Sequence, residues 1–108
     1  MPEFLPSGSH LRTFDSEVWI SDQSMLAKEG ITERQKMLGD AVENILPGKS
    51  RNEIIRLLGL SSDDSNQATL NYYLGPLRGD FLEIHIEFLK IHFDPSGHYE
   101  KYSIISND

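Results

Sequence analysis

Apolar residues recur along this chain in two rhythms, helical through its middle and alternating through its last third. Met37, Leu38, Ala41, Val42, Ile45 and Leu46 follow one another at i, i+1, i+4, i+5, i+8 and i+9, which lays them along one face of a helix. Arg34, Lys36, Asp40, Glu43 and Asn44 fall mostly on the opposite face. Thr32 and Gln35 stand at capping-box spacing, so the helix starts at Thr32. Pro47-Gly48 ends it, because proline cannot continue the ladder and glycine accepts left-handed geometry. A second helix follows at once. Ser50 and Glu53 repeat the cap, Ile54, Ile55, Leu57 and Leu58 form the apolar side, and Gly59 is the stop. A helix of about three turns does not persist alone in water, so packing must hold it.

After the polar loop Ser61–Ala68 the period becomes two. Thr69–Leu74 is a first strand, favoured by Tyr72 and Tyr73, and Gly75-Pro76 with Gly79 marks a turn. Phe81–Phe93 is a long strand. Leu82, Ile84, Ile86 and Phe88 take one face, and Glu83, His85 and Glu87 take the other. At Phe88-Leu89 the phase slips, and Leu89, Ile91 and Phe93 carry the apolar set onward. A β-bulge there restores the register, the alternative being two strands with a sharp break. Asp94-Pro95-Ser96-Gly97 is a hairpin turn and Tyr99–Ile105 the returning strand. Helices grouped ahead of strands predict an α+β fold. Two N-terminal helices cover one face of a three-stranded (or four-stranded) antiparallel meander, and the other face is free.

The start of the chain lacks sustained periodicity. Residues 1–13 read as a flexible segment, part of it a candidate cloning scar at Gly8-Ser9-His10, and residues 14–108 as one domain. Thr13–Ile20 is either a short helical turn capped by Asp15 or Ser16, or an extended arm; in both cases Trp19 packs on the domain.

Composition narrows the function classes. A chain of 108 residues suits one core. Without cysteine no disulfide framework exists, and packing alone holds the fold. The net charge of −7 and the scattered basic residues argue against nucleic acid and anionic membranes as partners. Neither a transmembrane run nor a signal-peptide core is present in these residues.

Leu46-Pro47-Gly48-Lys49-Ser50, then Glu53-Ile54-Ile55 and Leu57-Leu58-Gly59, resembles the helix–turn–helix signature of the small SmpA/OmlA (BamE-like) lipoproteins and the β-lactamase-inhibitor-protein-like (BLIP-like) fold. Tyr73-Leu74-Gly75-Pro76, Ile91-His92-Phe93-Asp94 with Gly97, and Phe14-Asp15-Ser16-Glu17-Val18-Trp19 are similar to other parts of that pattern. Ser61 stands where the family often has proline, and the lipobox cysteine is missing. The resemblance implies a periplasmic or outer-membrane-associated protein that acts by protein–protein contact, as an accessory subunit or an inhibitor, with a cytoplasmic location as the other option. It brings no catalytic residues and no cofactor. Membrane attachment would come only through a lost lipid anchor, and an unpaired edge on the long strand would invite a homodimer.

Two constellations are candidates for chemistry. His85, His92 and His98 lie near Glu83, Glu87 and Glu100, but without HxH or HExxH spacing. A solvated face is the plainer account, and a small metal-dependent binder or enzyme is the alternative function. The second group is aromatic. Trp19, Tyr72, Tyr73 and Tyr99, with His85, Glu87 and His92, form the candidate protein-binding surface, because tyrosine and tryptophan bury large area at small entropic cost.

Overall fold

The computed structural model describes residues 5–21, 31–62, 66–76 and 86–106. Helices come first: α1 Ser16–Ser21, α2 Glu33–Asp40, a π turn Ala41–Ile45 that continues α2, and α3 Arg51–Leu58. Strands follow: β1 Thr69–Pro76, β2 Ile86–Phe93 and β3 Tyr99–Ser106, in one antiparallel sheet of order β1-β2-β3. The class is α+β.

Both capping boxes form. Gln35 N donates to Thr32 Oγ1 (3.1 Å) and Thr32 N to Gln35 Oε1 (2.9 Å). Glu53 N donates to Ser50 Oγ (3.2 Å) and Ser50 N to Glu53 Oε1 (2.9 Å). The segment around Trp19 is helical, giving three helices rather than two. Its cap is Asp15, whose Oδ1 accepts from Glu17 N (3.0 Å) and Val18 N (3.3 Å). Ser16 Oγ then donates to Leu57 O (2.6 Å), tying α1 to α3.

Residues 5–13 lie along α2 and intrude on its ladder. Arg12 N takes Lys36 O (3.2 Å), and Gly39 N turns outward to Ser9 O (2.7 Å). Gly39 leaves room there for the His10 ring, which an added Cβ would strike. A helix whose amide is diverted in this way recovers through wider turns, and Leu46 N duly reaches back five residues to Ala41 O (2.9 Å).

The helical stripes meet the sheet. Met37, Leu38, Val42, Leu46, Ile54 and Leu58 are buried against Leu70, Tyr72, Leu74, Leu89, Ile91 and Phe93, with Trp19 among them. Paired residues share a side, so Tyr72–Leu89–Ile104 and Leu70–Ile91–Tyr102 form the inward rows. The hairpin tip is held from α3's end. Arg51 N donates to Gly97 O (3.1 Å), Tyr99 N to Lys49 O (2.8 Å), and Ser50 bridges His98.

Register departs from the expected pattern in one place that matters. No bulge interrupts β2 at Phe88-Leu89; alternation runs unbroken from Glu87 to Phe93, with Glu87, Leu89, Ile91 and Phe93 buried. Ile86 and Phe88 are therefore on the opposite face to the core, and Glu87 is inside. The irregularities fall on β1 between Tyr73 and Gly75, and at the β2–β3 hairpin, where Glu100 is the extra residue between His92↔Lys101 and Phe93↔Tyr99. The inward carboxylate has a buried partner there: Gln35 Nε2 lies 3.4 Å from Glu87 Oε1. Residues 81–85, expected to begin the long strand, and the turn at Gly79 lie outside the described residues.

β2 is the central strand, paired on both edges. Side chains and one loop amide occupy much of β1's outer edge: Ser61 Oγ accepts from Asn71 N (2.8 Å), the backbone N of Ser62 donates to Asn71 O (2.8 Å), and Arg34 Nη1 donates to Tyr73 O (2.9 Å). Among the described residues no helix is long and apolar enough to cross a membrane.

Candidate functional site

The face of the sheet turned away from the helices includes, beyond the Pro76–Ile86 pair at one end, three cross-strand rows. Tyr73–Phe88–Ile105 is apolar, Asn71–Lys90–Ser103 is polar, and Thr69–His92–Lys101 is polar and basic. The rings of Tyr73 and Phe88 meet edge to face, 6.0 Å apart at 82°. Ile105 is 41 % exposed. Phe88, Ile105, Lys90, Asn71 and the loop residue Ser62 border a shallow depression of about 520 Å³. An aromatic and aliphatic row on the side of a sheet that no helix among the described residues covers is the exception to inside-apolar patterning that asks for an explanation.

Charge is distributed unevenly around it. The whole chain carries 17 acidic against 10 basic side chains. On the open face the described residues include Lys90, Lys101 and His92 and no carboxylate; Glu100, in the bulge, borders one end. Neither lysine makes an ion pair among the described residues. His92 Nε2 is 3.1 Å from Ser103 Oγ. Partial burial, then the nearby Lys101 and Lys90 charges, hold the imidazole below its ordinary pKa, against a smaller opposite pull from Glu100.

The residues expected to form one binding surface are divided by the sheet. Tyr73 and His92 are on the open face. Trp19, Tyr72 and Glu87 are inside, at 0 %, 1 % and 1 % exposure, and so do not belong to the open face. Trp19 packs on Phe14 and Tyr72, with the Arg34 guanidinium 5.1 Å over its ring. The Tyr72 hydroxyl donates to Gly59 O (2.9 Å), and burial pushes its pKa up to about 12. Tyr99 is half-buried at the hairpin end of the core; burial first, then Tyr102, pushes it up to about 12. His85 lies outside the described residues.

Glu87 belongs to a polar island within the core. Gln35, fully buried, accepts from Thr32 N, donates through Nε2 to Pro76 O (2.9 Å), and faces Glu87 with the same amide nitrogen. Thr32 Oγ1 donates to Leu74 O. Gly75, at φ 153°, lets β1 pass close over this island: a Cβ there would fall 2.6 Å from Thr32 Cγ2.

Among the described residues His92 and His98 do not converge. His92 is on the open face, whereas His98 sits at the hairpin turn with Nδ1 3.0 Å from Ser96 Oγ. Among the described residues no three His, Cys, Asp or Glu side chains come together to hold a metal ion.

Phe88, Lys90, Lys101, Ser103 and Ile105 were absent from the expected surface. The signal for them was the alternation itself. Counting back from Phe93 through Ile91 and Leu89 without a break puts Phe88, Lys90 and His92 together on the other side. Compared with protein-family models, with curated proteins and with solved structures, the chain matches none of them.

Proposed function

We propose that this chain is a non-catalytic protein-binding module that docks its partner on the open face of the sheet. The observation that carries this reading is the Tyr73–Phe88–Ile105 row, where apolar side chains face away from the core beside a shallow depression. Burial of such a row against a partner is favourable at about 25 cal/mol per Å² of apolar area, before the entropic cost of association. The SmpA/OmlA resemblance adds a setting, the bacterial cell envelope, and a role as accessory subunit or inhibitor. Helices placed ahead of a three-strand antiparallel meander are compatible with that resemblance at the level of element order alone.

The test compares the chain with a Phe88→Ser, Ile105→Asp double variant as baits for an envelope extract, with a cross-linker placed at Lys90. Proteins that cross-link at Lys90 and are lost from the variant, while its circular dichroism stays that of the parent, support the reading. Equal recovery by both baits, or no cross-link at Lys90, defeats it.

A further inference from the structure

The open face also carries information about what it binds. Resting on the protein-binding reading, we infer that its partner is an extended acidic segment with one apolar anchor, of the pattern apolar-x-acidic-x-acidic. The argument is spacing combined with charge. Alternate residues of a strand recur about every 7 Å, and the three rows of the face recur with the same period along β2, at Phe88, Lys90 and His92. A partner segment running along β2 therefore places every second side chain over successive rows. Its first such residue packs on Tyr73, Phe88 and Ile105. Its third meets Lys90, half-buried and without an ion pair among the described residues. Its fifth meets Lys101 and His92.

Charge complementarity selects this occupant over others. A chain of net −7 repels an acidic ligand everywhere except where its own cations gather. The described open face has that sign reversal, with two lysines and a histidine and only Glu100 at its border. A basic segment would meet like charge on the face. A second copy of this chain, face to face, would set Lys90 and Lys101 against their own counterparts. Single-stranded nucleic acid shares the preference for lysine and aromatic rings, but its phosphates would feel the acidic remainder of the protein along a longer track.

The experiment uses the full chain and labelled peptides read by fluorescence anisotropy. The probe carries Phe-Ser-Glu-Ser-Glu; controls carry Phe-Ser-Lys-Ser-Lys, Ala-Ser-Glu-Ser-Glu and an oligothymidylate of similar length. The acidic probe should bind with a Kd of roughly 10–100 μM, a range suited to a small wet surface. The Lys90→Gln, Lys101→Gln double variant should weaken it at least about tenfold, and added salt should weaken it further. Ile105→Ser, and the Ala-for-Phe probe, should each cost about threefold to tenfold. Leu11→Ser, at a residue 65 % exposed in the segment that lies along α2, should change nothing. Failure of the acidic probe, or stronger binding of the basic peptide or the oligonucleotide, overturns the inference. Random-peptide selection against the chain separates the two failures. Neutral or basic peptides lost from the Phe88→Ser, Ile105→Asp variant leave the module reading standing and sink the acidic ligand. Selected peptides indifferent to that variant sink both.

Discussion

The two faces of this sheet are built from the same three strands, yet each contains what the other is expected to hold. The inner face, closed by helices, admits a carboxylate at Glu87. The outer face, which no helix among the described residues covers, carries Tyr73, Phe88 and Ile105. What decides a residue's side is whether a partner waits there. Glu87 has Gln35, itself fixed by Thr32 N and Pro76 O. A buried polar group with its hydrogen bonds made costs little, and one without them costs a great deal.

Adjacent residues on opposite faces offer the sharpest way to break this comparison. Leu89→Ala should lower unfolding free energy by about 2–5 kcal/mol in urea titration, because it opens a cavity under the helices. Phe88→Ala, one residue away and facing outward, should cost well under half of that; equal losses would mean that the faces are not distinct. Gln35→Ala should come next, at about 1–3 kcal/mol, since Thr32 N, Pro76 O and Glu87 would lose a buried partner. Tyr72→Phe removes only the bond to Gly59 O and should cost about 1 kcal/mol by the same titration.

The smallest effect concerns pH. The His92 pKa is depressed in the folded chain, so below the unfolded value near 6.5 the unfolded chain binds more protons at this site. Its contribution to stability is therefore fully present above that pH and is lost as pH falls through the folded value. His92→Gln should flatten the stability profile slightly between neutrality and mild acid. A parent profile already flat there at this residue, read by NMR titration of its imidazole, would remove histidine from the account of the open face.

Much of the scaffold was legible because its signals are local. Thr32/Gln35 and Ser50/Glu53 need only three residues to declare a cap, and Asp94-Pro95-Ser96-Gly97 needs four to declare a turn. The class followed from the order of those elements. The face assignment did not, because it depends on a partner 52 residues away: Glu87 reads as polar and outward until Gln35 is known to lie beneath it. The aromatic signal misled for a related reason. Trp19 and Tyr72 are the residues most often found at hot spots, but the same size makes them good core, and Phe14, Arg34 and Gly59 were already placed to receive them.

The tie between α3 and the hairpin tip has a consequence for motion. The far end of a hairpin is ordinarily where it frays, since it has neighbours on one side only. Here Arg51 N and Tyr99 N are locked reciprocally to Gly97 O and Lys49 O. These two amides, distant in sequence and on different kinds of element, should exchange with deuterium at matching rates under native conditions, and slowly. The helix start and the strand start then open as one cooperative unit, and the lysines of the open face are presented from a hairpin that is fastened at its tip.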